Sequence, residues 1–126
     1  MISALPISKP ILYIDMDNVL VDFQSGINNL SEYEKREYEG RYILSTAPWN
    51  NPSAWSDKLV WVKKWLGTYS YKRLILSHHK NLNKGDFLID DRLKNGAENF
   101  SGELILFGSE QYPNWDSVVD YLISSK

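Results

Sequence analysis

Two aspartates two residues apart, Asp15 and Asp17, close the apolar run Ile11-Leu12-Tyr13-Ile14. A run this short, β-branched and aromatic, with no alternation, predicts a strand buried on both faces of a parallel sheet. The two carboxylates then leave the sheet at its C-terminal edge, where open α/β sheets bind ligands. Two anions about 4 Å apart repel by about 4 kcal/mol at an effective dielectric near 20, so the pair calls for a divalent cation or a shared proton. A second acid pair, Asp90 and Asp91, ends the run Phe87-Leu88-Ile89. Between the two pairs, Thr46 follows Tyr42-Ile43-Leu44-Ser45, and Lys80 lies just beyond Arg73-Leu74-Ile75-Leu76-Ser77. Either acid pair alone reads as a capped turn; their order along the chain argues otherwise. If the runs are parallel strands, four strand ends share one edge and their groups converge. Carboxylates from the first and fourth runs then form an oxygen-rich cage suited to Mg²⁺. Thr46 and Lys80 offer a hydroxyl and a cation to a phosphoryl group, whose transfer depends on positioning and charge neutralisation.

Other chemistry-bearing residues carry less. His78 and His79 are adjacent, so they point to different sides, and their loop offers no third ligand for a metal; one of them can face the phosphate. Trp61 and Trp65 lie four apart on a helix and read as packing. Trp49, close behind Thr46 in a loop, is the aromatic expected at the mouth of the site, whereas Arg92 reads as a structural ion pair.

The elements that must position these groups are legible in outline. Asn51 is a good N-cap and Pro52 suits the first helical position, predicting a helix to about Leu66 with Gly67 just past its end. Trp55, Leu59, Val62 and Leu66 form its apolar stripe. A fifth strand is expected over Glu103–Phe107 and a closing helix over Trp115–Ser124, with Trp115, Val118, Val119 and Leu122 inward. From Ser25 to Arg41 the pattern suggests one or two short helices, stopped by Gly40. Short buried strands separated by helices or long loops favour a parallel α/β sheet with right-handed crossovers.

At 126 residues and 43% hydrophobic content the chain reads as one domain, residues 1–126, with a core that needs no staples. It has no Cys, which excludes disulfides and thiolate chemistry and suits a reducing cytosol. Its first ten residues match neither a signal peptide nor a membrane span, so a cytoplasmic protein is expected. A net charge of −2 without a basic block argues against long nucleic acid and for a small partner.

The same residues resemble a known family. Asp15-Met16-Asp17-Asn18-Val19-Leu20 resembles motif one of the haloacid dehalogenase-like phosphohydrolases, Ile43-Leu44-Ser45-Thr46 motif two, Lys80 motif three and Leu88-Ile89-Asp90-Asp91 motif four. Within that superfamily the chain is most similar to the 5′(3′)-deoxyribonucleotidases, through Thr46-Ala47-Pro48, the helix end Trp61 to Gly67, and Leu88 to Arg92. The resemblance implies a Rossmann-like three-layer sandwich around a mainly parallel five-stranded sheet, and a Mg²⁺-dependent phosphate-monoester hydrolase. It makes Asp15 the nucleophile that forms an aspartyl-phosphate, and Asp17 the general acid and base. It gives the metal to the Asp15 side chain, the backbone carbonyl of Asp17 and most directly Asp91, with Asp90 behind or through water. It gives the phosphate to Thr46, Ala47 and Lys80. A free Asp titrates near 3.9, so Asp17 would have to be raised by about two units, worth about 2.7 kcal/mol, while Asp15 stays ionised. Typical members carry a helical cap between motifs one and two; here only residues 18–45 are available, enough for a loop and one or two short helices. The expected substrate is a small phosphorylated molecule, first a nucleoside monophosphate, with a sugar phosphate or a phosphorylated nucleic-acid end as alternatives that keep the chemistry. A homodimer whose second subunit covers the open site is compatible with this reading. The rival of another class is a phosphate- or metal-binding module without turnover.

Overall fold

The computed structural model describes residues 10–17, 19 and 40–125. Five strands, β1 (Ile11–Ile14), β2 (Gly40–Ser45), β3 (Leu74–Leu76), β4 (Phe87–Asp90) and β5 (Glu103–Leu106), form one sheet in the order β3-β2-β1-β4-β5. Every pairing is parallel. Ile14 is level with both Ile43 and Ile89, Ser45 with Leu76 and Asp90 with Leu106, so the strands end along a common edge. The chain steps from β1 outward to β2 and β3, then returns past β1 to β4 and β5. Strand order therefore reverses at β1 and β4, and their C-terminal ends bracket the crevice where such sheets bind ligands.

The continuous apolar strands are buried on both faces, as expected of a parallel sheet. Leu12, Ile14, Ile43, Ile89 and Ile105 pack on one side against Val62, Leu66, Trp115, Val118 and Leu122, which come from the two helices α1 (Pro52–Leu66) and α2 (Trp115–Ser124). On the opposite side Tyr13, Leu44 and Leu88 pack against Ala97 and Phe100. Among the described residues this second face is covered by the loop between β4 and β5, with its single 3₁₀ turn Ala97–Asn99, rather than by a helix. Handedness accounts for the split. A right-handed crossover from β2 to β3 and one from β4 to β5 run in opposite directions along the sheet, so they lie on opposite faces.

Both helices have the predicted bounds. Pro52 opens α1 after Asn51, and Gly67 closes it with φ +54°, in the left-handed region that glycine tolerates. Only the later half of its expected stripe is buried: Val62 and Leu66 are inside, but Leu59 is exposed and Trp55 half-exposed, where both line an open apolar hollow between α1 and β3. α2 is capped by Asn114, whose side chain accepts from the Ser117 N–H while the Ser117 hydroxyl accepts from the Asn114 N–H.

One expectation is corrected. Gly40 and Arg41, read as the end of a helical stretch, belong to β2, and Gly40 opens it opposite Ile11, where a Cβ would lie 2.8 Å from the Pro10 carbonyl. Only glycine allows the two backbones to approach so closely. Residues 40–45 of the proposed insert are thus strand, and the helices expected from Ser25 onward lie outside the described residues. No helix among the described residues is long and apolar enough to cross a membrane.

Candidate active site

Each strand end is fixed by backbone hydrogen bonds before its side chain acts. The Asp15 N–H donates to Ile89 O at 2.9 Å, tying the end of β1 to β4, and the Phe107 N–H donates to Asp90 O at 2.9 Å, tying β4 to β5. Lys80 opens a 3₁₀ turn beyond β3, where its N–H donates to Asn95 O at 2.7 Å. That contact requires the bend at Asn95 and Gly96, with φ of +54° and +88°. A Cβ on Gly96 would sit 2.8 Å from the Lys80 nitrogen, so a glycine lets the β4–β5 loop press against the lysine turn.

So positioned, the Lys80 ammonium lies 2.8 Å from Asp15 Oδ1 and 2.7 Å from Asp90 Oδ2. All three side chains are buried. Asp90 Oδ1 accepts from the Arg92 N–H at 3.1 Å. Asp91 stands at the edge of this group, and Asp15, Asp90 and Asp91 each bring a carboxylate oxygen within 4.8 Å of the others. Burial pushes the Asp15 carboxyl up to about 6, with Asp90 and Asp17 adding to the rise and Lys80 opposing it. Burial also raises Asp90, against the pull of Lys80 and the Arg92 N–H. Lys80 is raised in spite of burial, because Asp15 and Asp90 together hold its proton. Two carboxylates against one ammonium leave the buried trio one net negative charge, which favours a further cation at its edge.

Asp17 lies apart from this cluster. Its side chain is 71% exposed and faces Lys58 of α1, whose ammonium is 3.4 Å from Oδ1. Of the two acids it is Asp15 that is buried, because Asp15 ends the strand while Asp17 rides on the turn beyond it. That turn is anchored from α2, where the Trp115 indole donates to Val19 O at 2.8 Å.

All seven sequence-predicted residues, Asp15, Asp17, Thr46, Ala47, Lys80, Asp90 and Asp91, line one cavity of about 420 Å³. Pro48, Trp49, His78, Arg92, Lys94 and Asn95 complete its wall. Trp49 is at the mouth as expected, 77% exposed, with its ring 6.0 Å from that of His78. His79 is exposed and its N–H donates to the Ser77 hydroxyl. The Thr46 hydroxyl donates to Ser77 O at 2.7 Å, joining the ends of β2 and β3; to meet a phosphate it must turn from that carbonyl. A larger hollow of about 930 Å³ beside α1 and β3 is mostly apolar and has no carboxylate in its lining, so the chemistry belongs to the smaller one.

Sequence reasoning missed Lys58. The signal was available: Lys58, Val62 and Leu66 follow one another at intervals of four, so a lysine continues the buried stripe of α1 toward the edge where the acids gather.

Comparison with known proteins gives the family. Residues 35–116 match the family described as 5′ nucleotidase, deoxy (pyrimidine), cytosolic type C protein (NT5C). A protein of Vibrio phage KVP40, named "Putative 5′(3′)-deoxyribonucleotidase", is 54% identical over 146 aligned positions that cover 92% of this chain and 86% of the relative. The chain belongs to the haloacid dehalogenase-like 5′(3′)-deoxyribonucleotidase family. It is therefore a phosphatase. The 5′(3′)-deoxyribonucleotidases of Bacillus subtilis strain 168 and of Bacillus phage SPbeta are each 30% identical over 89 residues, 71% of this chain and 50% of the relative. This deoxyribonucleotidase-family chain thus spans about half the length of the two Bacillus relatives. The alignment to the Vibrio phage relative is longer than the 126 residues of this chain, so that relative carries residues within the aligned stretch that this chain lacks.

Proposed function

We propose that this phosphatase hydrolyses deoxyribonucleoside monophosphates through an aspartyl-phosphate on Asp15, with Mg²⁺ as cofactor. The observation that carries this reading is the Lys80 ammonium between Asp15 and Asp90, at 2.8 and 2.7 Å, at the switch point of a parallel sheet. Asp15, Asp90 and Asp91 are hard oxygen donors close enough to share one ion, which fits Mg²⁺, and the Asp17 carbonyl completes the set that the family resemblance implies. When bound, the metal neutralises charge on the attacking carboxylate and the phosphoryl oxygens.

The chain's own groups then divide the work. With Oδ1 of Asp15 held by Lys80, Oδ2 attacks phosphorus as the ester P–O bond breaks, and Asp17 gives its proton to the departing oxygen. Asp17, now a carboxylate, takes a proton from water, whose oxygen attacks the phosphorus of the aspartyl-phosphate and frees Asp15 and inorganic phosphate. Lys80, the Thr46 hydroxyl and the Thr46–Ala47 backbone hold the phosphoryl oxygens. Exposed Trp49 beside the phosphate offers a flat apolar surface to a nucleobase, which supports a nucleotide over a bare sugar phosphate.

Of the stretch 18–45 between the first two motifs, residues 18–39 are what is left for a much shortened cap on a single catalytic domain. A sugar phosphate or a phosphorylated nucleic-acid end, and cover of the site by a second subunit, are compatible with the same chemistry. A cytoplasmic setting accords with the absence of Cys.

A panel of monophosphates assayed with Mg²⁺ tests the reading. Deoxyribonucleoside monophosphates should be the best substrates, and Asp15→Asn should lose at least about 10³-fold in kcat/KM. Equal rates on deoxyribose 5-phosphate would remove the nucleotide from the proposal. Unchanged activity in Asp15→Asn would remove the covalent mechanism.

A further inference from the structure

We propose that Lys58 is a positioning residue that holds the Asp17 carboxylate toward the leaving group. The inference rests on the reading of Asp17 as general acid. Lys58 is anchored at both ends of its side chain. Its stem rises from α1 and is only 13% exposed, and its ammonium lies 3.1 Å from the Ser45 hydroxyl at the fully buried end of β2. Asp17 is the opposite case, 71% exposed on a turn. A mobile carboxylate therefore meets a fixed cation, and the conformational cost of ordering the pair falls on one partner only.

The contact geometry suits positioning rather than ligation. The ammonium is 3.4 Å from Oδ1 and 3.5 Å from Oδ2, long for directed hydrogen bonds and nearly equal. It attracts the carboxylate as a whole and leaves either oxygen able to present a proton. When Asp17 protonates the leaving oxygen it becomes an anion in the transition state, and a cation already in place stabilises the charge that develops there. Lys80 cannot do this, being committed to Asp15 and Asp90.

Leaving-group dependence separates this role from a structural one. An alkyl phosphate such as a deoxyribonucleoside monophosphate needs a proton on its departing oxygen, while p-nitrophenyl phosphate departs as a stable phenolate and needs little help. Lys58→Met keeps the buried stem and removes the charge. Its kcat/KM, which reports departure of the leaving group, should fall at least about tenfold more on the alkyl ester than on the aryl ester. Lys58→Arg should recover part of that loss, and adding Lys58→Met to Asp17→Asn should cost nothing further on the alkyl ester, since both act through one group. Equal losses on the two substrates, no loss on either, or additive losses in the double variant overturn the proposal. Wild-type protein that hydrolyses both esters while Asp17→Asn lowers kcat/KM equally on the two refutes the general-acid reading beneath it, a different and distinguishable failure.

Discussion

Two lysines meet the first acid pair, and they are built in contrary ways. Lys80 is buried between carboxylates of two adjacent strands at 2.8 and 2.7 Å, whereas Lys58 meets a carboxylate that is 71% exposed at 3.4 Å. The difference follows the chemistry assigned to each aspartate. In the proposed mechanism Asp15 presents one oxygen to phosphorus along a fixed line, which a rigid, dry setting serves. In the same proposal Asp17 passes protons to a leaving group and takes them from water, which suits a side chain that water reaches. One site thus combines a locked half and an open half within three residues of chain.

Removing the locked cation should have the largest effect. Lys80→Met leaves Asp15 and Asp90 buried side by side without their shared partner, and breaking a buried ion pair this way costs about 3–5 kcal/mol. Urea unfolding of metal-free protein at pH 7 checks it as a shift in midpoint at constant slope. A loss below about 1 kcal/mol would mean that the acids escape into solvent and that the locked half is not locked.

Next comes proton and metal linkage at the same half. The folded Asp15 carboxyl is raised to about 6 from its ordinary 3.8, and Asp90 is raised as well, both chiefly by burial. Between those pH values the native state keeps a proton that the unfolded chain has lost. Stability of the metal-free protein should therefore fall as pH rises from 4 to 6, by roughly 2 kcal/mol from Asp15 taken alone. Lys80 is raised too, but its contribution persists at lower pH and is lost only above its ordinary 10.5, outside this window. Mg²⁺ needs the deprotonated acids, so its thermal stabilisation should be large at pH 7.5 and fade below pH 6. Thermal unfolding with and without Mg²⁺ across that range measures both; a stabilisation by Mg²⁺ that is equal at pH 5 and pH 7.5 would exclude these carboxylates as its ligands.

The same contrast marks what could be read from the sequence. Asp15, Asp90 and Lys80 were legible because they end or follow apolar runs, and parallel strands of matched register bring such ends together whatever the loops do. The bounds of both helices were legible from Asn51-Pro52 and Gly67, and from the spacing of Trp115, Val118, Val119 and Leu122. Lys58 was not, because its meaning depends on which face of α1 meets Ser45 and Asp17, a property of packing rather than of pattern. Packing likewise leaves Leu59, which periodicity alone placed inside, exposed along the hollow beside β3. Gly40 read as a helix stop because a glycine's freedom and its lack of a side chain look alike in sequence; the 2.8 Å approach to Pro10 O decides for the second. Which of the two acids is dry was not legible, because the roles say which group must hold a proton while the strand end decides which group is buried.

Removing the open cation should have the smallest effect on stability. Lys58 holds an exposed partner, and pairs of that kind are worth about 0–1 kcal/mol because solvent screens them. Lys58→Met should accordingly unfold within about 1 kcal/mol of wild type, whatever it does to turnover, and the difference should vanish in 1 M NaCl, where the screening length is about 3 Å. The buried Lys80 contacts should resist the same salt. A Lys58→Met protein destabilised by 3 kcal/mol or more, at low and high salt alike, would show that both lysines hold the fold together, and the division into a locked and an open half would then describe exposure without describing function.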